Sequence, residues 1–253
     1  MAFDVSADSY DRFMGRYSVL LAPQLADLAG IEKGMRVLDV GCGSGVLTGE
    51  LVERVGAANV TAIDPSIQFV DAIRERYPGV DVRPGTAEQL PYSDGEFDAA
   101  LSQLVVHFMR DPIAGIAEMG RVTRAGGAVA ACVWDLAGGR APISPFWQAA
   151  HELDSEAEDE SERAGGTEGS LADLFAAAGI GYVKSSDLAI HVHHDSFEEW
   201  WEPFVLGVGP ASAYLQKLEP AVRDAIRERA RELMPTGPHT IEWHAWAARG
   251  VAP

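Results

Sequence analysis

Short runs of apolar and β-branched residues alternate with helical patterns between residues 35 and 134. The predicted strands cover residues 37–40, 60–63, 80–83, 97–103 and 128–134. After the first strand, Leu47, Leu51 and Val55 recur at the spacing of one helix face. Strands that alternate with helices are typical of parallel strands joined by crossover helices. We therefore predict an α/β fold with a doubly wound, mostly parallel sheet.

Capping residues mark several of the predicted helices. Pro65 and Ser66 introduce the helix after the second strand. Asp111 and Pro112 begin a helix that runs through Val122, because Asp is a favoured N-cap and Pro fits the first helical turn. Ligands bind such sheets beyond the carboxyl ends of the strands, where the winding direction changes. Side chains that follow the strands are therefore the first candidates for a site.

The alternation stops after Trp134. Residues 138–170 are rich in Gly, Pro and acidic residues, which indicates an insertion. The further predicted elements are a helix over 171–179, strands over 188–193 and 240–247, and a helical segment over 196–237. We expect a single domain over residues 1–253.

Composition narrows the classes of partner. The chain has 253 residues, of which 47% are apolar, and 20 basic against 38 acidic residues give a net charge of −18. This charge opposes binding to phosphate, so we expect no nucleic-acid partner. No apolar stretch approaches the roughly 18 residues of a membrane span, and residues 1–11 lack a basic, apolar leader. We therefore expect a cytoplasmic protein with no membrane span.

The cysteines and the acidic residues suggest no site of their own. Cys42 and Cys132 are 90 positions apart, so neither a disulfide scaffold nor a zinc site of the usual spacing is expected. Acidic residues cluster over 152–168, where Arg163 is the one basic residue. Such a run predicts a solvated loop or helix face.

A glycine-rich turn follows the first strand and contains Gly41, Gly43 and Gly45. Glycine permits positive φ and has no Cβ, so the backbone can turn sharply and approach a ligand closely. The dinucleotide fingerprint requires glycine at the sixth position from Gly41, where this chain has Val46. Asp39 precedes the turn, and its charge would repel phosphate but suit a cationic ligand. S-adenosylmethionine is such a ligand.

Two further segments suit an adenosine group. Asp64 ends the second strand, 19 residues after Gly45, where a carboxylate can accept both ribose hydroxyl protons. Residues 85–91 follow the third strand and offer polar groups where an adenine edge should fall. Either a nicotinamide dinucleotide or S-adenosylmethionine would use both segments.

Four motifs occur in a familiar order. They are DVGCGSG over 39–45, AIDPS over 62–66, GTAEQLP over 85–91 and GEFDAALSQLVVHF over 95–108. This order resembles class I S-adenosylmethionine-dependent methyltransferases, most closely the group that includes the ubiquinone and menaquinone biosynthesis enzymes. The motif agreement covers residues 10–135. It implies a Rossmann-like seven-stranded sheet with an antiparallel last strand, and S-adenosyl-L-methionine as the cofactor.

The resemblance also implies which residues bind the cofactor. Gly41, Gly43 and the region of Asp39 would line its methionine end, and Gln103, at the end of the fourth strand, would lie near the methionine amine. Asp64, with Pro65 beside it, would hold the ribose.

On the adenine side, Ala87 and Glu88 would be in contact with the base. Many relatives have Asp where this chain has Thr86, which would accept the adenine amino hydrogen more weakly. Residues 10–17 resemble the segment that closes over the cofactor, with Arg16 or Tyr17 meeting its carboxylate. The alternative for those two residues is the start of a surface helix.

Methyl transfer requires alignment of the acceptor, and it requires a general base only when the acceptor must lose a proton. His107, just beyond the fourth strand, is the candidate catalytic residue, although it could instead pack or orient the loop. His191, His193 and His244 lack partners at metal-ligand spacing, so we expect ordinary sheet residues and no metal. Trp200, Trp201 and Phe204 could form an aromatic wall over a substrate or pack in the core. A nucleophilic Cys42 is disfavoured because no base is paired with it.

The leading hypothesis is a methyltransferase that uses S-adenosyl-L-methionine and acts on a small-molecule acceptor by in-line transfer, with a lid formed by the insertions 138–170 and 196–237. The DPPY-type motif of nucleic-acid methyltransferases is absent, since residues 102–105 are SQLV. A non-catalytic S-adenosylmethionine-binding protein is an alternative. A nicotinamide-dependent oxidoreductase is disfavoured by Val46 and by the lack of a Tyr-x-x-x-Lys pair. The attacking atom, the acceptor and the oligomeric state stay open.

Overall fold

A computed structural model describes residues 11–157 and 160–253. Within these residues, seven strands form one sheet in the order β3-β2-β1-β4-β5-β7-β6. The strands are Val37–Val40 (β1), Val60–Asp64 (β2), Asp81–Pro84 (β3), Phe97–Gln103 (β4), Thr123–Trp134 (β5), Gly181–His194 (β6) and His239–Val251 (β7). Strands β1 to β5 pair in parallel, and β7 lies antiparallel between β5 and β6. The predicted sheet with an antiparallel last strand is confirmed.

Helices cover both faces of the sheet. They are Arg16–Ala29 (α1), Val46–Val55 (α2), Ile67–Arg76 (α3), Pro112–Val122 (α4), Ser144–Leu153 (α5), Ser170–Ala177 (α6), Phe197–Trp201 (α7), Gly209–Lys217 (α8) and Pro220–Leu233 (α9). Apolar residues of α1, α2 and α3 pack on one face, and those of α4 and α6 pack on the other. In the described part of the chain, no helix is long and apolar enough to cross a membrane.

The interior strand β1 is buried along its whole length. Val37 belongs to the core on the α1 side, whereas Leu38 and Val40 belong to the core on the α4 side. Parallel strands covered by helices on both faces are apolar at nearly every position, which explains why this strand has apolar residues on both faces. Asp39 is the exception, and a buried carboxylate in such a strand needs a specific reason.

The last two strands are longer than the pattern predicts. Strand β6 begins at Gly181 instead of residue 188, and β7 continues to Val251. The first half of β6 lies at the edge of the sheet and is largely exposed, so its residues do not alternate between apolar and polar. Backbone hydrogen bonds to β7 define this half of β6, where the pattern of side chains does not predict a strand.

An aromatic cluster joins the two inserted segments to the N-terminal segment. We use this term for Phe13, Phe146, Trp200, Trp201 and Phe204, all of which are buried. The rings of Phe146 and Phe204 stack at 5.0 Å, and Phe13 meets Phe204 edge to face at 5.4 Å. Trp200, Trp201 and Phe204 therefore pack in the core, which was one of the two alternatives for them.

Candidate active site

The glycine turn between β1 and α2 adopts the backbone that its sequence predicts. Gly41, Gly43 and Gly45 have φ values of 76°, 51° and 91°, which L side chains rarely adopt. A Cβ on Gly41 would come within 2.5 Å of Val105, so this glycine is required for packing. A Cβ on Gly43 would meet no atom of the described residues within 4 Å. Open space therefore lies over Gly43 at the carboxyl end of β1.

Asp64, the last residue of β2, shapes this turn. Its Oδ2 accepts a hydrogen bond from the Gly43 N–H at 2.9 Å, and its Oδ1 accepts one from the Ser66 N–H at 2.8 Å. Burial raises the pKa of this carboxyl, and the two backbone hydrogen bonds oppose the rise. Pro65 and Ile67 follow it as exposed apolar residues. The carboxylate thus joins the turn to the start of α3.

Asp39 is buried beneath the turn, with 1% of its surface exposed. Its Oδ2 accepts a hydrogen bond from Thr48 Oγ1 at 2.6 Å, while its Oδ1 has no donor among the described residues. Burial raises the pKa of Asp39 to about 7; the nearby Asp64 adds to the rise and the Thr48 hydrogen bond opposes it. An acceptor oxygen with no protein partner is costly to bury, so a bound donor would relieve that cost.

Gln103 ends the neighbouring strand β4 on the same face as Asp39. Asp39 pairs with Leu101 in the sheet, and side chains two residues apart on a strand share a face. The Gln103 Nε2 donates to the Ser18 carbonyl at 3.1 Å. Its buried Oε1 has no hydrogen-bond partner in residues 11–157 and 160–253. Two buried acceptor oxygens therefore lie along one face of two adjacent strands.

The residues predicted on the adenine side hold a loop together in this structure. Thr86 is exposed, whereas Ala87 is buried in the core on the α4 side. Glu88 Oε1 accepts hydrogen bonds from the Arg110 N–H at 2.8 Å and the Asp111 N–H at 3.4 Å. Burial opposes the change, but these hydrogen bonds lower the pKa of Glu88 overall. Contact of these residues with adenine stays a prediction.

The two N-terminal candidates have other partners in this structure. The Arg16 guanidinium donates to Glu199 at 2.8 Å and to the His193 carbonyl at 2.9 Å, which links α1 to the start of α7. Tyr17 is buried and meets Trp134 edge to face at 6.3 Å. Tyr10, the first residue of the segment predicted to close over the cofactor, lies outside the described residues.

A different arginine binds the glycine turn. Arg76, in the last turn of α3, donates to the Ser44 carbonyl at 2.9 Å and to Asp11 Oδ2 at 3.1 Å. The sequence does not mark Arg76 as a candidate site residue, since its position identifies it only as a basic residue near a helix C-terminus. The link connects the segment before α1 to the turn.

A cavity of about 40 Å³ lies next to the end of β4. Its walls come from the N-terminal segment, the β4–α4 loop, the end of β5 and both inserted segments. The lining residues are Phe13, Met14, Leu104, His107, Phe108, Trp134, Leu136, Ile143, Glu160, Gly209, Pro210 and Ala211. The surface is mainly apolar, and His107 and Glu160 contribute its ionisable groups.

His107 is buried at this cavity, and its ring packs against Phe108 with centroids 4.1 Å apart. Burial lowers the pKa of His107 to about 3, and the positive charge of Arg163 contributes to the shift. The imidazole is therefore neutral at pH 7. Its Nδ1 is buried without a hydrogen-bond partner in the part of the chain that the structure describes.

Glu160 belongs to the acidic run but is 4% exposed. Its Oε2 accepts a hydrogen bond from the Trp147 indole N–H at 3.2 Å, and its Oε1 lies 3.2 Å from Arg163 Nε. The prediction of a solvated run is wrong for this residue, because a cation and an indole donor offset the cost of burying its charge. The one basic residue of the run, Arg163, was the available signal.

The remaining candidates are tied to other groups. Burial, with the nearby charges of Asp39 and Asp64, raises the pKa of the Cys42 thiol well above its usual value, so the thiol is protonated and not nucleophilic. His244 lies between Asp187 at 2.9 Å and Glu242 at 3.1 Å. Among the described residues, no group of three or more His, Cys, Asp or Glu side chains could hold a metal ion.

The chain is similar to known methyltransferases in sequence. Residues 38–131 match the model of a methyltransferase domain. An uncharacterised methyltransferase of Mycobacterium tuberculosis is 35% identical over 135 residues, which are 53% of this chain and 52% of that protein. A malonyl-(acyl-carrier protein) O-methyltransferase of Erwinia billingiae is 34% identical over 128 residues, 51% of this chain and 50% of that protein. The chain spans about half the length of these curated relatives.

Solved structures share the fold over most of the chain. A Bacillus halodurans protein described as a methyltransferase superposes with a TM-score of 0.61 at 19% identity, covering 92% of this chain and 98% of that chain. A geranyl diphosphate methyltransferase in complex with S-adenosylmethionine gives 0.55 at 17% identity, covering 98% and 92%. Residues 38–131 therefore match a methyltransferase domain in sequence, and these solved structures share its fold. The narrower likeness to ubiquinone and menaquinone enzymes stays a prediction.

Proposed function

We propose that this protein is an S-adenosylmethionine-dependent methyltransferase that methylates a small-molecule acceptor in the cavity beside His107. The observation that carries the proposal is the pair of buried acceptor oxygens, Asp39 Oδ1 and Gln103 Oε1, on one face of the adjacent strands β1 and β4. The open space over Gly43, in the turn that follows β1, supports it. An ammonium group supplies the donors that these oxygens require. The carboxylates of Asp39 and Asp64 would favour a cationic ligand over a phosphate.

The residues present fit the whole cofactor in this proposal. Asp64 would bind the ribose hydroxyls in addition to its two backbone N–H groups, since a carboxylate can accept about four hydrogen bonds. Pro65 and Ile67, which is 56% exposed, offer apolar surface to the adenine ring, with Thr86 and Glu88 on its polar edge. These roles, and the predicted contact of Arg16 or Tyr17 with the cofactor carboxylate, belong to the proposal.

Bound S-adenosylmethionine supplies a methyl group that its positive sulfonium already activates. The chain must then chiefly align the acceptor and exclude water, and alignment alone can be worth roughly 7–11 kcal/mol. We assign the insertions 138–170 and 196–237 to a lid, because they supply Ile143, Glu160 and Pro210 to the cavity. His107 would orient the acceptor through a hydrogen bond, because a pKa of about 3 makes its ring a weak base.

Calorimetric titration with S-adenosylmethionine, S-adenosylhomocysteine and NADH tests the cofactor. We expect both sulfur nucleosides to bind and NADH to give no heat of binding. Binding of NADH with no response to either sulfur nucleoside would contradict the proposal. Transfer of a labelled methyl group to a small-molecule extract then separates an enzyme from a protein that only binds the cofactor.

Two glycines provide a matched pair of variants for locating the site. Gly43 and Gly56 both have positive φ, 51° and 83°, and at each an added Cβ would meet no described atom within 4 Å. Alanine at either position should destabilise the fold to a similar extent, by about 1 kcal/mol, because of backbone strain. We expect Gly43→Ala alone to lose S-adenosylmethionine affinity, since its methyl group enters the open space. Equal affinities of Gly43→Ala, Gly56→Ala and the wild type would show that the cofactor binds elsewhere.

A further inference from the structure

The cavity beside His107 contains two fixed polar side chains, His107 and Glu160, in an otherwise apolar wall. Most of its wall is apolar, with Phe13 and Met14 from the N-terminal segment, Trp134 from β5 and Ile143 from the first insertion. At about 40 Å³ the cavity has to widen to admit a whole acceptor. Its wall favours an apolar body, and a small number of fixed polar groups then decides which molecules can enter. The identity and rigidity of those groups therefore define the acceptor.

Glu160 is held in place at this end. The Trp147 indole donates to one of its oxygens, and the Arg163 guanidinium lies 3.2 Å from the other. Arg163 also donates to the backbone carbonyl of His107 at 3.3 Å, and its guanidinium lies 5.0 Å from the centroid of the Phe108 ring. One cation thus contacts both Glu160 and the backbone of His107. Glu160 is preorganised by Trp147 and Arg163, and the His107 ring is held by its packing against Phe108.

We propose, building on the function proposed above, that Glu160 and His107 select an uncharged, largely apolar acceptor that carries a hydroxyl group, and that Glu160 excludes carboxylates. A carboxylate side chain offers acceptor oxygens and no donor, so a ligand can form a hydrogen bond with Glu160 only by donating. A neutral imidazole can donate from one nitrogen and accept at the other. A hydroxyl, which both donates and accepts, satisfies this pair.

The negative charge of Glu160 determines which acceptors are excluded. An acceptor carboxylate in this cavity would bring a second negative charge next to a buried one, and burying like charges together is strongly unfavourable. The nearby cation, Arg163, is already paired with Glu160 and lies outside the cavity lining. An uncharged hydroxyl avoids this repulsion and gains a hydrogen bond to an ionised group. Such a bond is among the stronger ones in proteins.

Three toluene derivatives that differ only in their para substituent test this selectivity for a hydroxyl group. 4-Methylphenol is neutral and donates a hydrogen bond at pH 7, 4-methylanisole lacks the donor, and 4-methylbenzoate is an anion. We expect 4-methylphenol to bind the protein saturated with S-adenosylhomocysteine at least about tenfold more tightly than the other two, the usual effect of a hydrogen bond to a charged group. Equal binding of 4-methylbenzoate, or no binding of 4-methylphenol up to its solubility limit, would overturn the proposal.

The matched variants are Glu160→Gln and Glu162→Gln, which remove one charge each from the same segment. Glu162 is exposed, so its variant should retain the wild-type affinities. Glu160→Gln should weaken the binding of 4-methylphenol about tenfold and reduce the discrimination against 4-methylbenzoate. An unchanged 4-methylphenol affinity in Glu160→Gln would contradict the proposal. Should that variant fail to fold, Trp147→Phe removes a donor to Glu160 without altering the lining, and we expect it to reduce the same discrimination.

Failure of this inference can be distinguished from failure of the proposed function. The probes are titrated with and without S-adenosylhomocysteine, whose own binding is measured first. Hydroxyl selectivity without any nucleoside binding would contradict the proposed function alone. Tight nucleoside binding without hydroxyl selectivity would contradict this inference alone.

Discussion

Several buried ionisable side chains have pKa values that burial moves toward the neutral form, and the direction differs between acids and bases. Asp39 has a raised pKa of about 7, whereas His107 and His194 have lowered values of about 3 and about 4. Their proton binding therefore makes stability depend on pH with opposite signs.

The raised pKa of Asp39 stabilises the fold under acidic conditions. The folded state retains a proton that the unfolded state, with its Asp pKa near 3.9, releases first. This contribution is fully present below about pH 4 and is lost as the pH rises to about 7. We expect Asp39→Asn to remove about 1–4 kcal/mol of this pH dependence of the free energy of unfolding. Urea denaturation at pH 5 and pH 8 measures the change, with the exposed Asp224→Asn as control. Parallel profiles for wild type and Asp39→Asn would contradict it.

His107 makes the stability of the fold depend on pH in the opposite direction from Asp39. Its folded-state pKa lies below the value near 6.5 of an unfolded histidine, so the unfolded state binds the proton first. Its contribution to stability is present above about pH 6.5 and is lost as the pH falls toward 3. We expect His107→Gln to lose less stability than the wild type between pH 7 and pH 4.5. His194 retains its own share in that variant, so the acid sensitivity should be reduced and not abolished. A steeper loss in the variant would show that burial does not suppress protonation of this ring.

At the scale of elements, the predicted capping residues work as their sequence indicates. Asp111 accepts a hydrogen bond from the Ala114 N–H at 3.0 Å at the start of α4, and Ser196 accepts one from the Glu199 N–H at 3.3 Å at the start of α7. These caps are local, so a few neighbouring residues suffice to predict them.

We expect Asp111→Ala to destabilise the protein by about 0.5–2 kcal/mol, because a backbone donor of α4 loses its acceptor. Asp111→Asn retains an acceptor oxygen and should lose much less. Thermal denaturation of the two variants measures the difference. Equal stabilities would show that water replaces the cap without cost.

The strands, the glycine turn and the helix starts could be predicted because they depend on local patterns of burial and backbone conformation. The long edge of β6 could not, since its exposed half has no apolar alternation and is defined by pairing with β7. Glu160 and Arg76 were also missed, because their partners Trp147 and Asp11 are 13 and 65 residues away. Tertiary contacts of that kind leave no periodic trace in the sequence.

At the scale of the molecule, segments far apart in the chain meet at one end of the sheet. The N-terminal segment provides Phe13, the first insertion provides Ile143 and Glu160, and the second provides Pro210. The aromatic cluster, which shares Phe13 with the cavity, and the Arg16–Glu199 ion pair join these segments. Sequence predicted the two inserted segments but not their shared contact with the N-terminal segment.

Arg76 holds the Ser44 carbonyl and Asp11 at once, so the glycine turn and the chain that leads into α1 are fastened together by a single side chain. If the proposed cofactor enters between these two segments, this link has to open for it to bind and again for the product nucleoside to leave. We therefore expect release of the product nucleoside to limit turnover, which a burst of methylated product in the first turnover would reveal; a linear time course from the start would contradict it.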